Sequence, residues 1–216
     1  MEIPNNVLKH YLQNAFLICG TPCGGKSTIA QALAKKHGLL FLDEDTLNEN
    51  MSSIADPKYQ SAWCSRPTDW DVYFNRPYKE YHEWQQKCLM EQFPLSLLEI
   101  TRASSNQAVV ADLINMPVSM ALELTERNRI AFLVTTPEIV VRDYLNRPSH
   151  EPIRRCVMGT SNPEASLANL NKMLAYGTEL YLNELKKTDL FYVMRDDHST
   201  IESTLTLVEK HFGFYH

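Results

Sequence analysis

Nine residues, Gly20-Thr-Pro-Cys-Gly-Gly-Lys26-Ser27-Thr28, keep the spacing G-x-x-x-x-G-K-[ST]. This is the phosphate-cradling Walker A pattern. Its glycines let the backbone curl so that successive N–H groups point inward at an anion. A helix beginning near Lys26 adds the positive end of its dipole. Lys26 can reach terminal phosphates as a mobile point charge, and the Ser27 hydroxyl is suited to Mg²⁺. The candidate ATP–Mg²⁺ site is therefore Gly20, Thr21, Pro22, Cys23, Gly24, Gly25, Lys26, Ser27 and Thr28. Pro22 stiffens the loop, and Cys23 reads as a small residue that fits rather than a reactive thiol.

Carboxylates come next. Asp43-Glu44-Asp45 follows the apolar run Leu39–Leu42 directly. One of the two aspartates can orient Mg²⁺-bound water while the other accepts the proton of an attacking hydroxyl. Asp43, nearer the strand end, is assigned to the metal, and Asp45, one step further on, to the acceptor. The plain alternative is a solvated helix start with Asp45 as its cap. Asp112 ends the run Ala108–Ala111, a loose Walker B pattern. It would serve a Mg²⁺-linked water or a substrate group, with Asn115 as a helper, or else cap a helix at Pro117.

Cations and aromatic residues complete the set. Asn146 to Ser161 carries Arg147, His150, Arg154 and Arg155, and Arg142 precedes it. Phosphoryl transfer needs cations that close over developing charge and exclude water. Arg142 and Arg147 are the leading candidates, and a solvated basic loop is the alternative. Tyr59 to Phe93 holds Trp63, Trp70 and Trp84 among six other aromatic residues. Tyr78, Tyr81, Trp84 and Cys88 recur at helical spacing, which is mostly packing. Arg66, Trp70 and Arg76 are interleaved and are the candidate substrate-binding residues, since a pocket is mainly apolar with a few polar anchors.

Five short apolar runs can position these groups: Ala15–Cys19, Leu39–Leu42, Ala108–Ala111, Ile130–Val134 and Leu190–Met194. Each is continuous rather than alternating, as in strands covered on both faces, and helical stretches separate them. The reading is an α/β protein with a parallel sheet. Ser27–His37 reads as a helix capped by Gly38, and Pro163–Lys187 as a long one after Asn162. Ser199-Thr-Ile-Glu202 reads as a capping box. Long connections at the carboxyl ends of the strands carry specificity. Two stand out, at about 48–106 and about 146–161.

Composition narrows the function classes. The 216 residues can bury one substantial core. With 21 Lys+Arg against 26 Asp+Glu, nothing drives binding to long nucleic acid or anionic membrane. The longest apolar runs are too short to span a bilayer. Five scattered cysteines without a C-x-x-C pair fit reduced thiols, so a cytoplasmic protein is expected. The absence of an Asn-Lys-x-Asp segment argues against a switch GTPase.

The strand–loop–helix unit, followed by Asp43-x-Asp45, resembles the small P-loop kinases: shikimate kinase, gluconate kinase and nucleoside monophosphate kinase-like enzymes. Val109 to Asn115 (VVAD-x-x-N) is similar to the branch that includes polynucleotide kinases. The likeness implies a three-layer fold, a five-stranded parallel sheet of order 2-3-1-4-5 with helices on both faces. It further implies an ATP–Mg²⁺ site, a substrate-binding insert at about 48–106 and an arginine lid at about 146–161, within one domain spanning 1–216. Lys26 and Ser27 match the phosphate and Mg²⁺ ligands. Asp43 or Asp45 matches the acid near the acceptor hydroxyl, and Arg142 or Arg147 the lid arginine. Arg195 falls where such enzymes contact adenine or ribose. The expected activity is transfer of the γ-phosphate of ATP to a hydroxyl or phosphate of a small molecule. A nucleotide or nucleic-acid 5′-end kinase and a non-catalytic, ATP-gated regulatory module are the alternatives. The segment after the third strand lacks the glycine triplet of shikimate kinases, and the lid reads Arg147-Pro-Ser-His. Both features point away from shikimate as the acceptor.

Overall fold

The computed structural model describes residues 5–114 and 116–214. Its strands are β1 (Ala15–Cys19), β2 (Leu40–Asp43), β3 (Val109–Asp112), β4 (Ile130–Thr135) and β5 (Tyr192–Arg195). The helices run from α1 (Asn5–Tyr11) and α2 (Lys26–His37) to α3 (Glu44–Met51) and the short α4 (Ser61–Cys64) and α5 (Trp70–Phe74). After them come α6 (Tyr78–Ser104), α7 (Ala121–Leu124), α8 (Pro137–Asp143), α9 (Glu151–Met158), α10 (Pro163–Leu185) and α11 (Ile201–Phe212). The sheet is parallel throughout and ordered β2-β3-β1-β4-β5.

Side-chain alternation divides the core between two faces. Leu17, Cys19, Ala111, Phe132 and Val134 point to one face and pack with Ile100 of α6 and Leu182 of α10. Phe16, Ile18, Val110, Ala131 and Leu133 point to the other, against Leu33 of α2 and Val208 and Phe212 of α11. The three central strands are buried along their whole length. Each Val, Leu, Ile or Phe among them contributes about 1.5–3 kcal/mol by leaving water. β2 and β5 are the edges and are only partly covered. Their continuous apolar runs suggested full burial, but neighbours shield them on one side only.

Three local details differ from the sequence reading. The segment 146–161, read as a long basic connection, is mostly helical. Two 3₁₀ turns lead into α9, where Val157 is buried and Ile153 and Cys156 pack against a third apolar cluster. Positions 153, 156 and 157 have helical spacing, hidden among Pro, Arg and His. The capping box is Thr200–Ser203 rather than Ser199–Glu202, one residue later. α3 starts at Glu44, so Asp45 lies inside the first turn instead of capping it.

The region after β2 is tied to the rest of the protein. Asp71 accepts from the Ser161 amide and hydroxyl, at 3.0 and 2.8 Å. Asn169 of α10 donates to the carbonyls of Phe74 and Arg76, at 2.6 and 2.7 Å. These bonds dock α5 onto the end of α9 and the start of α10. Among the described residues no helix is long and apolar enough to cross a membrane.

Candidate functional site

The loop after β1 holds its shape through close backbone approach. A Cβ at Gly20 or at Gly24 would land inside the Leu133 carbonyl of β4. Gly25 lies at φ 92 and caps α2 without any side chain. The first-turn amides are thus left for an anion, at the positive end of the helix. Cys23 also has positive φ, at 60. It is buried among apolar side chains, and burial raises its thiol pKa, which makes the thiol inert rather than reactive. The buried Thr21 hydroxyl accepts from the Thr135 amide at 2.9 Å, fastening the loop to the end of β4. Lys26 is only 9 % exposed, and its Nζ donates to the Thr21 carbonyl at 3.0 Å.

Parallel pairing sets Asp43 opposite Asp112 at one sheet edge. Asp112 is 4 % exposed, and its Oδ1 has no hydrogen-bond partner. Burial raises its pKa; Lys26 and a hydrogen bond with Ser27 oppose this, and Asp43 reinforces it. Ser27, Asp112 and Asp43 therefore lie together at the phosphate end of the loop. Among the described residues no group of three or more His, Cys, Asp or Glu is placed to hold a metal ion. Mg²⁺ does not need one, since it keeps several waters and takes one or two protein ligands beside phosphate oxygens. An unpartnered buried carboxylate oxygen beside the Ser27 hydroxyl fits that use.

Glu44, between the two candidate aspartates, was given no role from sequence. It is 3 % exposed, and its carboxylate accepts from the Ile114 amide just beyond β3. Burial pushes its pKa up to about 7 against that bond and the neighbouring Ser96, and Asp112 and Asp45 push the same way. Glu44 thus links the end of β2 to the segment carrying Asp112. No pattern in the triplet DED distinguishes it; only the register and α6 above it do. Asp45 is exposed, and its charge reaches Tyr144 and Glu44. Asn115 lies outside the described residues.

A cavity of about 510 Å³ opens along the loop. Cys23 to Ile29 form one wall, with Asp143, Arg147 and Arg195 beside them, and Ser199, Thr200 and Thr204 from the start of α11 opposite. Gly20, Thr21 and Pro22 do not line it; Gly20 and Thr21 hold the loop against β4 from behind. Arg195 Nη1 donates to the Cys23 carbonyl at 2.6 Å. The α11 wall was marked in sequence only as a helix cap.

The two candidate lid arginines are placed differently. Arg147 lines the cavity, and its charge is felt by Asp112, Cys23 and Tyr144. Arg142 faces away, in a bidentate pair with Asp197 at 2.7 and 3.0 Å and a further pair with Asp143. It ties α8 to the loop after β5. Arg154 and Arg155 pair loosely with Glu151 on α9. Arg66, Trp70 and Arg76 gather around Tyr73, on an aromatic wall that runs from Cys23 to Trp84.

A parallel sheet of order 2-3-1-4-5, with the Gly20–Thr28 loop between its central strand and α2, is the P-loop kinase fold. The model of a family described as an AAA domain matches residues 17–167, and the chain belongs to that family. Curated proteins include no match to the sequence. Solved structures include similar chains. Shikimate kinase from Bacteroides thetaiotaomicron is 16% identical with a TM-score of 0.49, covering 91% of this chain and 96% of its own. Dephospho-CoA kinase from Campylobacter jejuni is 16% identical at 0.47, covering 94% and 99%. Deoxyadenosine kinase from M. mycoides is 13% identical at 0.45, covering 93% and 100%.

Proposed function

We propose that this protein is an ATP-dependent phosphotransferase that moves the γ-phosphate to a hydroxyl of a small molecule. The observation that carries the reading is the junction of Lys26, Ser27 and the buried, half-unpartnered Asp112, the first two of which line a cavity bordered by Arg147. The first-turn amides of α2 and Lys26 bind the β- and γ-phosphates. The α11 wall and Arg195 border the nucleoside end of the cavity. Ser27 and Asp112 would hold Mg²⁺, with Asp43 on its waters, and the ion when bound supplies charge neutralisation of the phosphates. Asp45 takes the proton of the acceptor hydroxyl as its oxygen bonds to Pγ. The bond from Pγ to the β–γ bridging oxygen breaks, and ADP leaves. Arg147 offsets the charge on the equatorial oxygens and, with α9, keeps water from the reaction. The acceptor lies along the insert after β2, against Arg66, Trp70 and Arg76.

The test is ATP consumption on adding candidate acceptors. A kinase consumes ATP in proportion to acceptor, whereas an ATP-gated binding module does not. Lys26→Ala is expected to lower turnover by about 3–4 kcal/mol of transition-state stabilisation while the melting temperature stays put. Undiminished turnover in that variant at saturating ATP would remove the loop from the mechanism.

A further inference from the structure

We propose that a cavity between α6 and α10 is a second ligand site, taking a small polyol that carries an ammonium group. The inference stands on the lining of this cavity and goes beyond the phosphotransferase reading. His82, Gln85 and Gln86 of α6 line it together with Gly177, Thr178 and Glu184 of α10. Thr21 and Pro22 of the loop after β1 join them. It shares no lining residue with the cavity along that loop, and Arg66, Trp70 and Arg76 take no part in it. Its volume of about 200 Å³ equals about seven waters at ~30 Å³ each, room for a ligand of about six or seven non-hydrogen atoms.

The polar groups of this lining are unspent. A threonine inside a helix can return its hydroxyl to the carbonyl one turn back, as Thr101 does to Leu97 at 2.7 Å. Thr178 does not. It is 3 % exposed, yet its hydroxyl makes no hydrogen bond among the described residues and is open to the cavity. The side chains of Gln85, Gln86 and the exposed Glu184 likewise make no hydrogen bond or ion pair among them. His82 is held in place by packing. Its ring stands edge-on to Tyr176 at 5.4 Å, and a Cβ at Gly177 would come within 2.8 Å of its Nδ1. Glycine weakens a helix interior; here the missing side chain makes room for the imidazole. Burial lowers the His82 pKa, with Glu83 opposing, so at neutral pH the ring is uncharged and offers one donor and one acceptor. Amides, hydroxyl and neutral imidazole suit the hydroxyl groups of a ligand. Glu184 is the one charge of the lining, to which no Lys or Arg contributes. It selects an ammonium and repels an anion.

Histidine-ring NMR of the full chain reads the site, with the His82 resonance assigned by its loss in His82→Phe. The probes, titrated without nucleotide, are serinol, its uncharged counterpart glycerol and the anion glycerate. A saturable shift of the His82 resonance is expected with serinol, a weaker one with glycerol and none with glycerate. Glu184→Gln should raise the half-saturating serinol concentration about tenfold or more, the scale of one charge-assisted hydrogen bond, and leave glycerol unaffected. Thr178→Val should weaken serinol and glycerol alike. Glu184 is exposed, so Glu184→Gln carries the test if Thr178→Val does not fold. No saturable shift with serinol, a response to glycerol or glycerate equal to it, or a serinol response unchanged in Glu184→Gln overturns the inference. Failure of ATP turnover leaves this titration untouched, so the two ideas fail separately.

Discussion

Arg147 and Arg142 have the same side chain five residues apart, yet opposite surroundings. Arg142 is held by four hydrogen bonds to Asp143 and Asp197, whereas Arg147 borders the cavity and acts on Asp112. Charge already satisfied by two carboxylates is poorly available to a transferring phosphoryl group. Arg147→Gln should therefore lower kcat by about 10²–10³-fold, the scale of one preorganised donor. Arg142→Gln should act mainly through KM for ATP, because it loosens the α8 and post-β5 segments around the end of the cavity proposed to take the nucleoside. Equal kcat losses would contradict this division. The carboxylates divide in the same way. Asp45→Asn keeps the shape and removes the proposed proton acceptor, so kcat should fall with ATP binding nearly intact. Asp112→Asn should raise the Mg²⁺ concentration needed for half-maximal rate. Unchanged kcat for Asp45→Asn, with activity abolished in Asp112→Asn, would hand the base role to Asp112.

Between β1 and α2 the decisive contact is backbone on backbone. Gly20 and Gly24 lie against the Leu133 carbonyl of β4 so closely that neither admits a Cβ, while Gly25 has open space but positive φ. Alanine should do different harm at each. Gly25→Ala strains one residue, costing about 1–2 kcal/mol, with β4 undisturbed. Gly24→Ala must push the loop off the sheet, losing the Thr21–Thr135 bond as well. Thermal melts with and without ATP–Mg²⁺ separate the two: Gly24→Ala should melt lower and lose the nucleotide-induced shift. A Gly24→Ala variant as stable and as responsive as the parent would show that the loop has room to move. At the same scale, α9 docks on the third apolar cluster through Val157 and carries Arg154 and Arg155, while Arg147 stands between the two 3₁₀ turns that lead into it. Asp71 and Asn169 join the insert to that helix and to α10. Closure over a nucleotide would therefore move lid and insert together.

Across the whole molecule, the last helix is latched to the first long one. Glu209 of α11 is 5 % exposed and accepts from Lys36 at 2.8 Å, with His37 at 2.6 Å. Burial pushes its pKa up, but the bonds from Lys36 and His37 outweigh this and leave it below the usual carboxylate value. A carboxyl whose folded pKa is depressed stabilises above its unfolded pKa, about 4.3, and loses that contribution as pH falls through the folded value. Glu209→Gln should cost about 1–3 kcal/mol at neutral pH. For a domain of this size that lowers the melting temperature by about 2–4 °C per kcal/mol. The deficit should shrink below pH 4; a deficit constant from pH 7 to pH 3 would rule out the charge as its source.

Linear order alone determined the loop, the strand–helix alternation and the sheet edge on which Asp43 and Asp112 stand. Each of these is local: a glycine spacing, an apolar run, a residue one step beyond a strand. The order 2-3-1-4-5 was reached through resemblance, and the strand pairing realises it. What tertiary structure decided was how residues distant in sequence share their charges and contacts. It separated Arg147 from Arg142 by bringing Asp197 to the latter, 55 positions away. It buried Glu44 and left Asp45 exposed because α6 and the segment after β3 close over one and not the other. It also revealed α9 inside a polar stretch, since Val157 joins an apolar cluster completed by residues of α5, α6 and α10, distant in sequence. Periodicity reports what a segment wants to bury; only packing supplies what it is buried against.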